Sequence, residues 1–459
     1  MKLKNHKIFL LVFFVFFIVK LFSLFVAHDI WWDSSVYIGM GKYIYSFSEV
    51  GLWESSRPLV WPLILGFFWK IGIDVIFFGK LSMMLFSLGV LFLTYLIALD
   101  IFNKKVAIIS SLFLVLSSTF FLFGNILHTE IPSTFFALLG FYLFMKKKYN
   151  FSGLFLGIAF MTRFFQVFIF IALSLILFYL FMKKKVPYKV LFYFSLFFLI
   201  PVVPYLILNY FLYNDIFYPF VLQAFMSKNT GWIFFQPFWF YFVNLVRENI
   251  LVLFSVIGLL FVFKKPDFRK TSITVAFLFI FVPYTLVAHK EMRLLVPALP
   301  FLYILTSYGM LYFINLFKKN GTLILSLLLF SFLILSTPNI KFNTYEDSLD
   351  QFYDYIGTEK IDDELWISNP AFITFSNERA DKLIYFPLYN SEKVDELILN
   401  IDDAKHILIN TCDLLPCPPS DTACNQKHDD FIDLLKENFK LRLYDGHGSC
   451  EYYIFTSEN

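Results

Sequence analysis

Cysteine is absent from residues 1–340, and acidic side chains are scarce there: 11 Asp and Glu against 28 Lys and Arg. Charged residues make up 16% of the 459-residue chain, whereas 58% are hydrophobic and 65 are Phe. Mean hydropathy is +0.68. No soluble domain hides that much apolar surface, so the composition excludes a single soluble domain and specifies a polytopic membrane protein. Also missing are an Asp-x-Asp pair and any cluster with metal-ligand spacing, so no metal or other cofactor is predicted. The formal net charge is only +3, and no nucleic-acid partner is expected.

That small net charge hides an asymmetry. Residues 1–340 carry +17 and residues 341–459 carry −14. The chain therefore divides into a basic transmembrane domain, 1–340, and an acidic, water-soluble domain, 341–459. All four cysteines, Cys412, Cys417, Cys424 and Cys450, fall in the second. This suits an extracytoplasmic domain with up to two disulfides, for which three pairings are open. Four free thiols or a metal site are the other readings. The stretches "ELWISN", "LIYFP", "HILIN", "LRLYDG" and "EYYIFTS" read as strands. "DQFYDYIG", "SEKVDELILNI" and "DDFIDLLKENF" read as amphipathic helices between them. The result is a small α/β unit without a phosphate-binding glycine loop.

Basic clusters at Lys104-Lys105, Lys146 to Lys148, Lys183 to Lys185, Lys264 to Lys270 and Lys318-Lys319 punctuate the apolar runs. Basic loops stay in the cytoplasm. The N-terminus is basic too, and the first apolar run is read as a retained signal anchor. About eleven transmembrane helices follow. They are expected near 8–27, 77–101, 106–123, 131–145, 188–212, 272–288, 294–316 and 321–337, with one more ending near 263. The run 151–182 is too short for two full crossings and too long for one, so it is expected as two short helices meeting near Arg163. This places a multi-pass protein in the cell membrane, N-terminus in the cytoplasm and tail outside. Asp29, Asp33, Glu49, Glu54, Asp74, Glu130, Asp215 and Glu291 then map to the outer face, where the polar chemistry is concentrated.

Four constellations stand out there. The first outer loop carries Asp33, Tyr37, Glu54 and Arg57. Residues 33–46 have helical spacing with an aromatic-rich face and are expected to lie along the interface. A second short helix is expected from Pro58, a residue suited to a first turn. An aromatic belt accounts for Trp31 and Trp32 but not for Asp33 beside them. His128 and Glu130 lie in "HTEIPS", on the same face. Arg163 is placed about 22 Å from the inner surface, where it needs a partner or a phosphate. Finally, His289, Lys290, Glu291 and Arg293 crowd one outer turn between two apolar spans, against the lysine distribution elsewhere. Lys20, in the first span, is read as snorkelling.

The order "WWDSSVY", "RPLVWPLILGFFWK", "HTEIPS", "GIAFMTR", "HKEMRLLVPALPFLYIL" resembles the GT-C glycosyltransferases. The likeness is to the protein-mannosyltransferase and aminoarabinose-transferase type (family 39) and covers about residues 8–320. The "HKEMR" turn is similar to the HKE-x-R signature of lipid-linked mannosyltransferases. The resemblance implies a sugar moved from a polyprenyl (dolichyl) phosphate carrier, among membrane lipids, to a protein, lipid or glycan acceptor on the outer face. Asp33 would be the catalytic base and Glu130 the second acid. Arg57, His128, Arg163, His289, Lys290, Glu291 and Arg293 would bind the donor and its phosphate. Relatives carry a second acid after the first-loop Asp, where this chain has Ser34. The competing reading is a polytopic transporter or flippase for a lipid-linked glycan. It expects internal repeats and midplane charges, which the sequence does not show.

Overall fold

The computed structural model describes residues 6–26, 30–229, 233–264, 267–317, 321–336, 355, 361, 364–384, 391–414, 420–447 and 450–457. The chain opens with α1 (Lys7–Ser23), α2 (Trp32–Tyr45), α3 (Val60–Lys70) and α4 (Val75–Ile101). Next come α5 (Lys104–Val115), α6 (Ser118–Phe123), α7 (Glu130–Met145) and α8 (Tyr149–Thr162). α9 (Val167–Met182) and α10 (Tyr188–Tyr213) lead to α11 (Tyr218–Asn229) and α12 (Phe240–Glu248). α13 (Phe254–Lys264), α14 (Phe268–Leu286), α15 (Leu299–Asn315) and α16 (Gly321–Ser336) complete the helical body.

Each expected span has a helix in place, α5 and α6 together forming one of them. Among the described residues, four helical stretches are long and apolar enough to cross a membrane: Val75–Ile101, Phe164–Met182, Tyr188–Tyr213 and Met292–Asn315. The protein is a multi-pass membrane protein. α8 and α9 do meet at Arg163, whose extended backbone breaks the helix there. Asn103 and Asp267 start α5 and α14 as N-caps, each accepting a backbone N–H.

Loops assigned to one face come together. Asp100 pairs with Lys146 at 2.8 Å and Arg269 at 3.4 Å, gathering three basic-loop segments. Of the acids expected on the other face, Asp33 and Glu130 lie in the first turns of α2 and α7, and Glu54 and Glu291 join Asp33 through the arginines they share with it.

Two expectations change in the first outer loop. α3 begins at Val60, so Pro58 precedes the helix and Pro62 occupies its first turn instead. α2 does not present an aromatic face to the surroundings: residues 34–42 are buried by protein on every side. One side is backbone-to-backbone contact with α3. A Cβ on Gly41 would stand 2.6 Å from Pro62 O and Gly66 N, and one on Gly66 2.4 Å from Gly41 O. Only glycine permits that approach.

The other side of α2 is covered by the tail. Its strands β1 (Leu365–Ile367), β2 (Lys382–Leu383), β3 (His406–Asn410), β4 (Lys440–His447) and β5 (Cys450–Thr456) form one sheet in the order β2-β1-β3-β5-β4. β1 pairs parallel with β2 and β3; β5 runs antiparallel to β3 and β4. Helices at Ser391–Leu399 and Thr422–Asn438 match the expected amphipathic stretches; "DQFYDYIG" lies almost wholly outside the described residues. Leu365, Ile367, Phe372, Leu408 and Ile454 pack with Val36, Met40 and Leu52 in one apolar cluster. Cys412 and Cys450 form a disulfide. Cys424 is disulfide-bonded as well, and Cys417 lies outside the described residues.

Candidate active site

The site is organised by Asp33, in the first turn of α2, where the helix dipole favours an anion. Arg57 Nη2 donates to its Oδ1 at 2.8 Å, and Arg293 Nη1 to its Oδ2 at 2.5 Å. Burial alone would raise this carboxyl. The two guanidiniums, Arg57 first and then Arg293, overrule it and hold Asp33 well below the usual carboxylate range.

Each arginine is in turn held by a second acid. Arg57 Nε bonds Glu54 at 2.9 Å, and Ser56 donates to the same oxygen at 2.7 Å. The Tyr37 ring lies 5.5 Å from the Arg57 guanidinium carbon. Arg293 Nη2 bonds Glu291 at 2.9 Å, and His289 Nε2 meets that oxygen at 2.7 Å. Burial pushes Glu291 up, but the hydrogen bond from His289 and the charge of Arg293 bring it to about 2. The result is a chain of alternating charge from Glu54 through Arg57, Asp33 and Arg293 to Glu291.

Beside it sits a second pair. Glu130, at the start of α7 and 1% exposed, bonds Arg163 Nη1 at 2.9 Å. Arg163 also reaches the Thr129 hydroxyl at 3.1 Å. The arginine's depth is therefore matched by a carboxylate, as a buried charge requires. His128 lies 3.6 Å from Glu130. Burial lowers its pKa against the pull of Glu130 and Asp33. Trp31 stands edge-on to the His128 ring at 5.3 Å. Trp31 thus orients a histidine of the site, a role the belt reading did not foresee.

The predicted residues are not all placed alike. Asp33, Arg57, His289, Glu291 and Arg293 form one connected network, and His128, Glu130 and Arg163 its neighbour; the charge of His128 is felt at Asp33. Lys290 points elsewhere. Its ammonium donates to Gln236 O at 2.9 Å and Val287 O at 2.6 Å, and its backbone pairs with Phe234. It braces the turn that presents Arg293, so the expectation of a phosphate-binding lysine is corrected. Lys20 does not snorkel: it is buried against the carbonyl side of Asn125 and the Phe121 ring. Sequence reasoning left Glu248 unassigned. It accepts from the Ser117 hydroxyl at 2.6 Å and from Thr119 Oγ1 at 2.7 Å, fixing the start of α6, which leads to His128.

Several buried polar atoms of the site have no hydrogen-bond partner in the protein. They are both His128 nitrogens, Glu130 Oε2, Glu54 Oε2, and Nε of Arg163 and Arg293. Buried polar atoms are normally satisfied, so this surplus of donors and acceptors suits a polyhydroxylated, anionic ligand. Among the described residues, no three metal-ligating side chains gather.

A family profile described as dolichyl-phosphate-mannose-protein mannosyltransferase matches residues 56–208, a third of the chain. No curated protein matches by sequence. Among solved structures, ArnT from Cupriavidus metallidurans bound to undecaprenyl phosphate is similar at a TM-score of 0.67 and 10% identity, over 99% of both chains. The archaeal oligosaccharyltransferase AglB from Archaeoglobus fulgidus, in complex with an inhibitory peptide and a dolichol-phosphate, gives 0.61 and 11%, over 98% of this chain and 74% of that one. The mycobacterial arabinofuranosyltransferase AftD gives 0.54 and 10%, over 99% and 42%.

Proposed function

From a chain with the membrane fold of the GT-C glycosyltransferases, we propose a glycosyltransferase that takes its sugar from a polyprenyl-phosphate carrier. The observation that carries this reading is Asp33 set between Arg57 and Arg293. A single carboxylate beside a cationic clamp is what such a displacement needs. The acceptor hydroxyl gives its proton to Asp33 as its oxygen bonds the anomeric carbon. The bond from that carbon to the phosphate oxygen breaks, and Arg57 and Arg293 take up the charge of the departing phosphate. With Asp33 acting only as base, the acceptor oxygen attacks opposite the departing phosphate, which gives inversion with no covalent enzyme intermediate. Glu130, His128 and Arg163 line the neighbouring part of the site and supply groups for sugar hydroxyls.

Two similar structures support a lipid-phosphate donor: ArnT is bound to undecaprenyl phosphate and AglB is in complex with a dolichol-phosphate. The profile match makes mannose the first sugar to test. The lysine distribution supports a cytoplasmic N-terminus and transfer on the outer face.

The test is direct. Membranes holding the protein are incubated with labelled polyprenyl-phosphate sugars and the products read by mass. Transfer that disappears in Asp33→Asn, with the protein still folded, is expected. Full activity in that variant sinks the assignment.

A further inference from the structure

The tail grips the helix that carries Asp33. The Lys42 side chain, in α2 about two and a half turns beyond Asp33, is 3% exposed. Its ammonium donates to Ile373 O at 2.9 Å, Thr374 O at 2.8 Å and Ser376 O at 2.7 Å. An ammonium has three donors, and all three are spent on carbonyls at the end of one short tail helix, Ala371–Thr374, and just beyond it. The same tail segment is held twice more. Gly51 N donates to Glu378 O at 2.9 Å, and Ala380 N to Gly51 O at 2.8 Å. Trp69 Nε1, on α3, donates to Asn377 Oδ1 at 3.1 Å. Residues 373–380 are thus fastened to α2, to the loop after it and to α3. These are the elements that place Asp33 and Arg57. On the far side α2 packs against α3 through the glycine contact and into the core of the helical body through Tyr37 and Ile38, and the tail supplies its other wall.

We propose that Lys42 is a positioning residue: it bolts the soluble domain to α2 and so fixes Asp33 against Arg57 and Arg293. This rests on the reading of Asp33 above. It gives the tail a task inside the transferase, that of holding the helix that carries Asp33. The three carbonyls explain why the chain keeps an ammonium at this buried position of α2. An isolated Lys42 ammonium there would be strongly unfavourable; the three carbonyls make it a specific lock.

The experiment uses the full-length protein in nanodiscs, comparing wild type with Lys42→Met and Lys42→Arg by amide hydrogen exchange and by transfer kinetics. In Lys42→Met, exchange over residues 32–45 and 371–380 should quicken about tenfold or more, while residues 299–315 stay as in wild type. The kcat for sugar transfer should fall about tenfold with donor KM within about twofold, and Lys42→Arg should restore much of both. Unchanged exchange over 32–45 in Lys42→Met overturns the proposal. So does faster exchange with undiminished kcat, which would make the contact merely structural. Should Lys42→Met fail to fold, Trp69→Phe removes one fastening and must loosen the same two segments by a smaller factor; no effect there overturns it equally. A wild type that transfers no polyprenyl-phosphate sugar counts against the proposed function, while the exchange data still decide whether the tail holds α2.

Discussion

Asp33 and Arg293 meet at 2.5 Å although 260 residues separate them, and Arg57 holds the other oxygen of the same carboxylate. A donor phosphate that uses these arginines must compete with Asp33 for them. Freed from both, the carboxylate becomes a stronger base at the moment the donor is seated. Asp33→Asn therefore removes a competing anion. The variant should bind a short-chain polyprenyl phosphate roughly tenfold more tightly, about 1.4 kcal/mol, while losing transfer. Titration of purified protein against the lipid phosphate checks this; equal or weaker binding would place the phosphate away from these arginines.

The acid side of the pH profile follows from the same network. Glu291 is held at about 2 in the fold against 4.5 in an unfolded chain, and Asp33 lies below its usual range for the same reason. Such groups stabilise the fold fully above the unfolded value and lose that contribution as pH falls through the folded one. For Glu291 this is roughly 3 kcal/mol. His128 acts in the same direction from a higher pH, because burial keeps its pKa below 6.5 and the unfolded chain takes up its proton first. The unfolding temperature should stay level near neutral pH, begin to fall below about 6.5 and drop steeply below about 4.5. Glu291→Gln should flatten the steep part. A midpoint at pH 3 equal to that at pH 7 would contradict the assignment.

Glu130 and Arg163 make an asymmetric pair to mutate. Removing the arginine leaves a carboxylate that is 1% exposed with no cation beside it, a change expected to cost roughly 3–5 kcal/mol. Glu130→Gln keeps the shape and leaves the charge on Arg163, whose side chain is 16% exposed, so it should cost less. Denaturation of Arg163→Ala, Arg163→Lys and Glu130→Gln should rank Arg163→Ala as least stable. If Glu130 serves the sugar as proposed, Glu130→Gln should still lower transfer. Equal stabilities for all three would mean that the carboxylate is neutral or solvated.

Much of this was legible in the sequence because membrane chemistry writes in long signals. Apolar runs and lysine clusters fixed the helices to within a few residues, and the strand-like stretches found β1, β3, β4 and β5, while "LIYFP" meets β2 only at Leu383 and lies mostly outside the described residues. Charged residues in unfavourable places pointed to Asp33, Glu130, Arg163 and Arg293. What stayed hidden is long-range. Nothing local says that Lys42 reaches carbonyls more than 330 residues away, or that Glu248 caps a helix across the fold. Lys290 misled for the same reason: a charge in a crowded turn reads as binding until the Phe234–Gln236 segment that it braces is seen beside it. The burial of α2 was missed because an amphipathic helix looks the same whether membrane or a folded-back domain covers its apolar face.

The glycine contact beneath α2 gives a further prediction that needs no assay of binding. Gly41 and Gly66 bring α2 and α3 so close that a methyl group on Gly41 meets backbone atoms at 2.6 Å. Backbone cannot move aside as a side chain can, so Gly41→Ala must push α3 outward. Overpacking of this kind costs roughly 1–3 kcal/mol. Arg57 stands just before α3, while Asp33 rides on α2. A shift between the helices therefore stretches the 2.8 Å contact between them and leaves the Arg293 contact to Asp33 less affected. Gly41→Ala and Gly66→Ala should each lower the unfolding temperature and reduce transfer. Gly72→Ala supplies the comparison, since it lies beyond the end of α3 with no atom within 4 Å of the added methyl. Gly72 has φ +75°, so that variant should lose some stability from backbone strain, with transfer nearly intact. If all three variants lose stability and activity in the same proportion, the close approach of α2 to α3 plays no special part in setting the site.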